Sequence, residues 1–445
     1  MLRRHLQVAL VTAIALGTTL PLQAADKKVP EQKKLEKLVA SLYETDSNES
    51  AEREEIYLLI DKVLGKKKGN MAALAAPGFW AHSIHAGRFS KRRGETPKKV
   101  KEKKVEFELR NGGNGFATVA FHGAAKYSKK VSHPYLFVLL EEGQDAKAYV
   151  KNLVETRPEL KAGWIVAAAA EDSKTFPVSK DPSVALPVIV HLTRSWFNVD
   201  SDRWFLEGSG KMSSVIQELA CTLIPDRVAG VVLRNPTEAK ASHNAAMTTA
   251  FVLHDEAGKA VAEAWNKLDE THNKSAVAGA EGEAAVLAWL LGHAGRKLPK
   301  SYSFETTMKK QPPHNPDWTG SLRVISPGEY DKRTQIDVDY DREKNTVSVA
   351  AENLSEFILY MNDELLDLDK EVSVSVNGEV QITKIFERRM RDMFETASIL
   401  GEFGQVYPSS YRGTVKSNIT EAAADSDKKE DGDKKEDDKK EDDGK

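Results

Sequence analysis

The residues with the clearest chemical layout are Gly208, Ser209, Gly210, Lys211 and Met212. They follow a short apolar run, residues 204–206, and precede a run of helical period, residues 215–223. A strand, a tight turn of small residues and a helix in this order can carry Gly-x-Ser-x-Gly, in which a strained turn lifts a serine hydroxyl above a sheet as a nucleophile. Here the central position is Gly210, which has no hydroxyl, and the last is Met212. The spacing therefore predicts the scaffold of a nucleophile turn with its chemistry missing. A phosphate loop is excluded, because Phe205 stands where that motif needs its first glycine and Met212 where it needs a hydroxyl. After the helical run, Pro225, Asp226 and Arg227 turn the chain into a further apolar run, residues 228–233.

The elements that would position this turn alternate in type. Residues 105–109 and 117–121 flank Gly112, Gly113, Asn114 and Gly115 and read as an antiparallel hairpin. Apolar runs follow at 135–140, 164–169, 204–206, 228–233 and 250–253, of the kind that lie in a sheet covered on both faces. Between them, residues 145–156, 184–196, 213–223, 258–268 and 281–293 have helical period. This alternation predicts an α/β fold with a doubly wound, mainly parallel sheet.

In that order of elements, residues 104–300 resemble the α/β-hydrolase superfamily, in particular secreted esterases of the polyhydroxybutyrate-depolymerase and prolyl-oligopeptidase type. HPYLFVLL at 133–140 resembles the strand leading to the oxyanion loop, and FNVDSDRWFLEG at 197–208 the strand before the nucleophile. PDRVAGVVL at 225–233 resembles the strand after it, and AWLLGHAGRKLP at 288–299 the last helix. The resemblance implies His-Gly-Gly after the third sheet strand, whose N–H groups receive an oxyanion. This chain has Glu141, Glu142, Gly143 and Gln144 there, and carboxylates oppose a developing oxyanion. The implied acid lies in the run from His254 through Asp255 and Glu256 to Gly258, with Gly258 at the acid's own place. The implied histidine lies in residues 278–282, where Glu281 stands among alanines and glycines.

Four departures in one chain predict a degenerate member without catalytic residues. Its vestigial positions are Gly208, Ser209 and Gly210 at the turn, Asp255, Glu256 and Gly258 in the acid loop, and Glu281 in the histidine loop. The alternative is an active serine esterase or peptidase with a non-standard triad. Ser209, Asp255 and one of His191, His243 or His272 would supply it, because triads are defined by geometry rather than chain order.

The rest of the chain frames this core. Arg3 and Arg4, the apolar residues 6–20, and Leu22, Gln23, Ala24 and Ala25 have the pattern of a secretory signal, so residues 1–25 predict export to the periplasm or exterior. The apolar stretch is shorter than the roughly 20 residues a spanning helix needs, and no transmembrane segment is expected after cleavage. Residues 26–90 read as helical, with Leu35, Leu38 and Leu42 in one helix. A second has Ser50 as N-cap ahead of Glu52, Glu54, Glu55, Ile56 and Leu59. His82 and His85 share a helical spacing without a further ligand, and no metal or cofactor is expected. Residues 91–103 read as a basic linker.

Past Pro299, residues 301–417 hold short strand candidates and the hairpin signal Asn377-Gly378, which together predict a β-sandwich-like domain. Residues 361–380 resemble the end domain that follows a hydrolase core in some planctomycete-type secreted proteins, which implies a structural or docking module. Residues 385–398 read as a closing amphipathic helix, with Phe386, Met390, Met393 and Phe394 as core. Asp337, Asp339 and Asp341, and Asp363, Asp367 and Asp369, lack the central glycine and terminal glutamate of a calcium loop. Residues 418–445 are a mixed-charge tail without the apolar residues a folded segment needs.

A chain of 445 residues, 40% of them hydrophobic, has room for more than one compact domain, and a net charge of −3 gives no support to a nucleic-acid partner. Its single cysteine, Cys221, excludes an intramolecular disulfide. The reading as a whole is an exported α/β-hydrolase-fold protein acting as a non-catalytic binding or scaffold protein, its ligand or protein partner unknown.

Overall fold

The computed structural model describes residues 99–415 apart from short interruptions, together with scattered residues between 34 and 62. The signal segment, His82, His85 and the charged tail lie outside the described residues. Lys34, Lys37, Leu38 and Ala40, and Glu54, Glu55, Ile56, Leu58 and Leu59, are helical, with Ala40 and Ile56 buried.

Strand β1, Lys101–Glu108, pairs antiparallel with β2, Asn114–His122, the register setting Val105 opposite Ala117. Lys101, Glu102 and Lys103 are therefore strand, not linker. β1 is an edge strand, and exposed lysines on an edge discourage pairing with other chains, so its charge hid it among linker residues. β3, His133–Leu140, is buried along its whole length, because it lies between parallel neighbours in a sheet covered on both faces. β4, Ile165–Ala170, lies between β2 and β3. β5, Val199–Ser209, β6, Gly230–Arg234, β7, Thr249–His254, and β8, Lys274–Val277, continue the sheet on the other side of β3. The strand order is β1-β2-β4-β3-β5-β6-β7-β8, parallel from β4 to β8 and antiparallel at β1 and β2.

Among the described residues, six helices cover this sheet. On one face lie α1, Ala146–Thr156, α2, Pro158–Gly163, and α6, Ala280–Gly292, whose Val150, Leu153, Leu160, Val286 and Leu290 pack with Phe205 and Val232. On the other lie α3, Ala185–His191, α4, Lys211–Glu218, and α5, Lys259–Leu268, whose Val188, Ile216 and Trp265 pack with Leu206 and Val231. The sheet is thus wound on both sides. α1 starts where Asp145 accepts from the backbone N–H groups of Lys147 and Ala148 at 2.9 and 3.0 Å. α4 runs into a π turn, Leu219–Leu223, in which Cys221 is fully buried. The described part of the 184–196 helix is a 3-10 turn, Pro182–Val184, followed by α3.

The C-terminal part holds two further sheets. One has the order β10-β11-β14-β17: Trp318–Thr319, Leu322–Pro327, Leu354–Met361 and Ser409–Thr414. The other has the order β16-β15-β13-β12-β9: Glu379–Ile385, Glu371–Val376, Thr346–Glu352, Arg333–Asp341 and Ser301–Thr307. Phe304, Ile336, Val349 and Val374 from the second sheet share one apolar cluster with Leu322, Phe357 and Leu359 from the first. Asn377 and Gly378, at φ 50° and 84°, make the two-residue turn between β15 and β16. Ile385 ends β16, so the closing helix starts later than residue 385; Met393 is helical and buried, whereas Met390 and Phe394 lie outside the described residues.

Of the two aspartate groups in this part, Asp337 and Asp339 lie on the exposed face of β12, and the other four residues are paired. Arg388 takes Asp363 at 3.0 Å through Nε and Asp369 at 2.7 Å, and Lys344 and Lys370 take Asp341 and Asp367. Asp226, in the turn before β6, is buried and accepts from the backbone N–H of Gly320. Asn244 bonds both the carbonyl and the N–H of Glu305, at 3.0 and 2.6 Å, so the two parts of the chain meet through specific polar contacts.

His122, the last residue of β2, and His133, the first of β3, are buried. Burial, and for His122 the charge of Lys161, holds both below the ordinary value of 6.5; a hydrogen bond from the His133 ring to the Gly163 carbonyl offsets part of the burial effect there. Below 6.5 the unfolded chain therefore binds more protons than the folded one, and stability must fall as pH drops from 6.5 towards the folded values. The urea midpoint is expected to be lower at about pH 5.5 than at about pH 7.5, and replacing both histidines by asparagine should flatten that slope. An unchanged slope in the double variant would assign the pH dependence to other groups.

Candidate functional site at the sheet's carboxyl edge

β3 and β5 are adjacent, yet the chain leaves β3 for α1 on one face and β5 for α4 on the other. A crevice opens where neighbouring strands send their connections to opposite faces, and in open α/β sheets ligands bind at that point. The glycine turn and a buried charged cluster lie there.

The turn between β5 and α4 is built around Gly210, with φ 54° and ψ −120°. This backbone region is strained for any residue with a side chain. Its neighbour Gly208 is fixed by space, since a Cβ there would lie 2.6 Å from the Met212 carbonyl oxygen. Ser213 ties the turn down by donating to the Gly208 carbonyl at 2.7 Å.

Glu141, the first residue after β3, reaches across to this turn. Its Oε1 accepts from the backbone N–H of Lys211 at 3.2 Å and lies 2.5 Å from where a Cβ of residue 210 would stand. The carboxylate therefore fills both the space of a side chain at 210 and the hydrogen-bonding direction of the 211 amide. It is held from behind, its own N–H donating to Gln144 Oε1 at 2.9 Å and its carbonyl accepting from Gln144 N–H at 3.2 Å. Glu142 turns away and accepts from the N–H of Ser173 at 3.1 Å. Of the two carboxylates the sequence places after β3, one alone meets the turn.

The remaining sequence-derived positions are dispersed. Ser209 is exposed at the end of β5, and among the described residues its hydroxyl makes no hydrogen bond. Asp255 is exposed and accepts from the Gly258 N–H at 3.1 Å, which makes it a turn-forming residue ahead of α5. Glu256 is exposed and Gly258 buried. His272 is paired with Asp269 at 2.7 Å, and the side chains of His191 and His243 lie outside the described residues. Glu281 is exposed on the first turn of α6.

Next to the turn, on the α1 and α6 side, lies a charged cluster that no local sequence pattern marks as a group. Glu207 on β5 is fully buried; its Oε1 accepts from Arg234 Nε at 2.7 Å and from the Tyr149 hydroxyl at 2.9 Å. Arg234, at the end of β6, also donates to Glu283 on α6, and Glu283 is shared with Arg157, the residue between α1 and α2. Burial alone would lower the Arg234 pKa, but the neighbouring Glu207, Tyr149 and Glu283 outweigh it and hold the guanidinium charged. Burial first, and then the Glu207 charge, raise the Tyr149 hydroxyl far above its ordinary value, so it stays a donor. These groups line a cavity of about 380 Å³ whose wall also includes Val138, Leu140, Gln144, Asn152 and Ser209. The one available sequence signal was a glutamate directly after the buried residues Trp204, Phe205 and Leu206, where a strand covered on both faces has no water for a charge.

Similar solved structures are esterases and peptidases at low identity and partial coverage. Esterase 2 of Thermogutta terrifontis is 11% identical with a TM-score of 0.32, over 41% of this chain and 83% of that one. A fungal esterase from Rhizomucor miehei is 12% identical with a TM-score of 0.32, over 50% and 95% of the two chains. Dipeptidyl peptidase 4 of Porphyromonas gingivalis is 8% identical with a TM-score of 0.32, over 44% of this chain and 36% of that one. No family model and no curated protein sequence matches the chain.

Proposed function

We propose that this chain is an exported α/β-hydrolase-fold protein with a degenerate catalytic centre, which binds a ligand or partner and does not hydrolyse it. The observation that carries this reading is the Glu141 carboxylate seated against Gly210 on the Lys211 N–H. In a working centre of this fold that amide helps to receive the oxyanion of the tetrahedral intermediate. A resident carboxylate occupies the donor and repels a second negative charge placed at the same spot. With no hydroxyl at 210 the attacking group is absent as well. Export is supported by the charged, apolar and small-residue succession of residues 1–25. The two sheets that share a core in the C-terminal part support a β-sandwich-like accessory module.

The test is active-site labelling. The full chain is expected to remain unlabelled by a fluorophosphonate probe and inert towards p-nitrophenyl esters, because the nucleophile position lacks a hydroxyl. Stoichiometric labelling at Ser209 would overturn the reading and establish a serine hydrolase with a non-standard triad.

A further inference from the structure

We propose that the protein forms a dimer in which β16, Glu379–Ile385, of one copy pairs antiparallel with β16 of a second copy. The inference holds whether or not the turn at Gly210 is catalytic. β16 ends its sheet, and among the described residues only β15 pairs with it, so one row of its backbone N–H and C=O groups is left for another strand. The other sheet edges are guarded. β1 carries exposed lysines, β8 and β10 are four and two residues long, and β17 carries the exposed Arg412. On β9, Asn244 takes the carbonyl and the N–H of Glu305. β16 is seven residues long and shows water two apolar side chains, Val380 exposed over 64% and Ile385 over 59%. A long edge with exposed apolar residues is a template for strand addition.

Charge and a bulge select the occupant. Glu379 and Lys384 are both exposed, and neither has an ion-pair partner among the described residues. Residues five apart on a regular strand point to opposite faces, but Gln381 is an extra residue between the pairs Val374 with Ile382 and Ser375 with Val380. The bulge therefore puts Glu379, opposite buried Val376, and Lys384, opposite buried Val372, on the same face. A two-fold axis between Gln381 and Ile382 then sets Glu379 against Lys384 of the partner subunit, and by symmetry Lys384 against Glu379 of the partner subunit. The same axis sets Val380 against Thr383 of the partner subunit, both on the outer face. A shift of one residue would oppose side chains of different faces, so this register is preferred. A strand of unrelated sequence meets these charges only by chance, whereas a second copy always brings their complement. Seven residues a side are fewer than the roughly 20–30 of a standard interface, so the dimer is expected to be weak, half-formed at about 10–100 μM.

The experiment is sedimentation velocity of the full chain from about 1 to 300 μM, over which monomer should give way to dimer. Glu379→Lys and Lys384→Glu, both on the exposed edge, should each weaken the dimer by about ten-fold or more, since symmetry turns two attractions into two repulsions. An equimolar mixture of the two variants should restore association, because every facing pair is again of opposite charge. The double variant Glu379→Lys with Lys384→Glu should restore it as well. Recovery in the mixture also shows that both single variants are folded. Monomer alone at about 300 μM would overturn the proposal and leave the edge to a strand of another protein. Association that ignores the single substitutions, or a mixture that stays monomeric, would overturn it by placing the contact on another surface or in another register.

Discussion

Replacing Arg234 by alanine is expected to destabilise the protein by about 3–5 kcal/mol, the largest single effect outside the apolar core. Arg234 is the only cation bonded to Glu207 among the described residues, at 2.7 Å, and Glu207 has no exposed surface. Without the guanidinium, the carboxylate keeps one hydrogen bond, from Tyr149, and has neither a counter-charge nor access to water. Glu283 loses a partner in the same step but is two-fifths exposed and still holds Arg157, so it adds little. Removing the charge itself should be gentler: Glu207→Gln keeps the shape and is expected to cost about 1–3 kcal/mol. Removing both partners, as Glu207→Leu with Arg234→Met, should cost less than Arg234→Ala alone, because apolar groups of similar volume can replace a buried pair. Urea unfolding of the four proteins checks the order. A loss below about 1 kcal/mol for Arg234→Ala would mean that the Glu207 carboxylate is reached by solvent after all.

The difference between this cluster and the rest of the fold shows what could be read in advance. Strands such as β3 declare themselves, because a strand covered on both faces must be apolar at every position, and HPYLFVLL is nearly so. Helix α1 declares itself through Asp145 and the apolar spacing of Val150, Leu153 and Val154. β8 was not legible: Lys274 and Ser275 are exposed, the strand is at the sheet's open edge, and nothing in its four residues alternates. β17 was missed for the same reason, with the polar sequence SSYRGT. The first half of β5 is polar where its pairing with β3 is interrupted by a register shift, so the apolar run alone marks the strand only from Trp204, and it is the resemblance that carries it back towards Phe197.

At the site, the turn was legible and its occupant was half so. Two glutamates after β3 could be placed near an oxyanion position by order alone, but which of them turns inward depends on the loop that Gln144 closes. The Glu207 cluster joins residues 58, 27, 49 and 126 positions apart, a convergence that no local pattern encodes. In residues 278–282 the order of elements points to Glu281, yet it is Glu283 that meets the cluster. Residues two positions apart on a helix are separated by about 200°, so an error of that size selects the opposite face.

Gly210→Ser is expected to destabilise the fold by about 1–3 kcal/mol and to yield no ester hydrolysis. Two separable causes act at this position. The backbone, at φ 54° and ψ −120°, is strained for a residue with a side chain, and the new Cβ would stand 2.5 Å from Glu141 Oε1. The second cause can relax, since Glu141 is the end of a flexible side chain, but only by giving up its bond to the Lys211 N–H. Shortening that residue, as Gly210→Ser with Glu141→Ala, should therefore recover the steric part and leave the backbone part in place. It would also bare the Lys211 amide, the donor to which the proposed reading gives the oxyanion position. Even then no uncommitted base stands there among the described residues: His272 precedes β8 and so lies at the opposite edge of the parallel sheet, His254 bonds the Asp255 carbonyl, and Glu283 is held between two arginines. Ester turnover in either variant above that of the wild-type protein would reveal a proton acceptor within reach of position 210. In that event the chain is better understood as a hydrolase that lacks one hydroxyl than as a binding protein on a hydrolase scaffold.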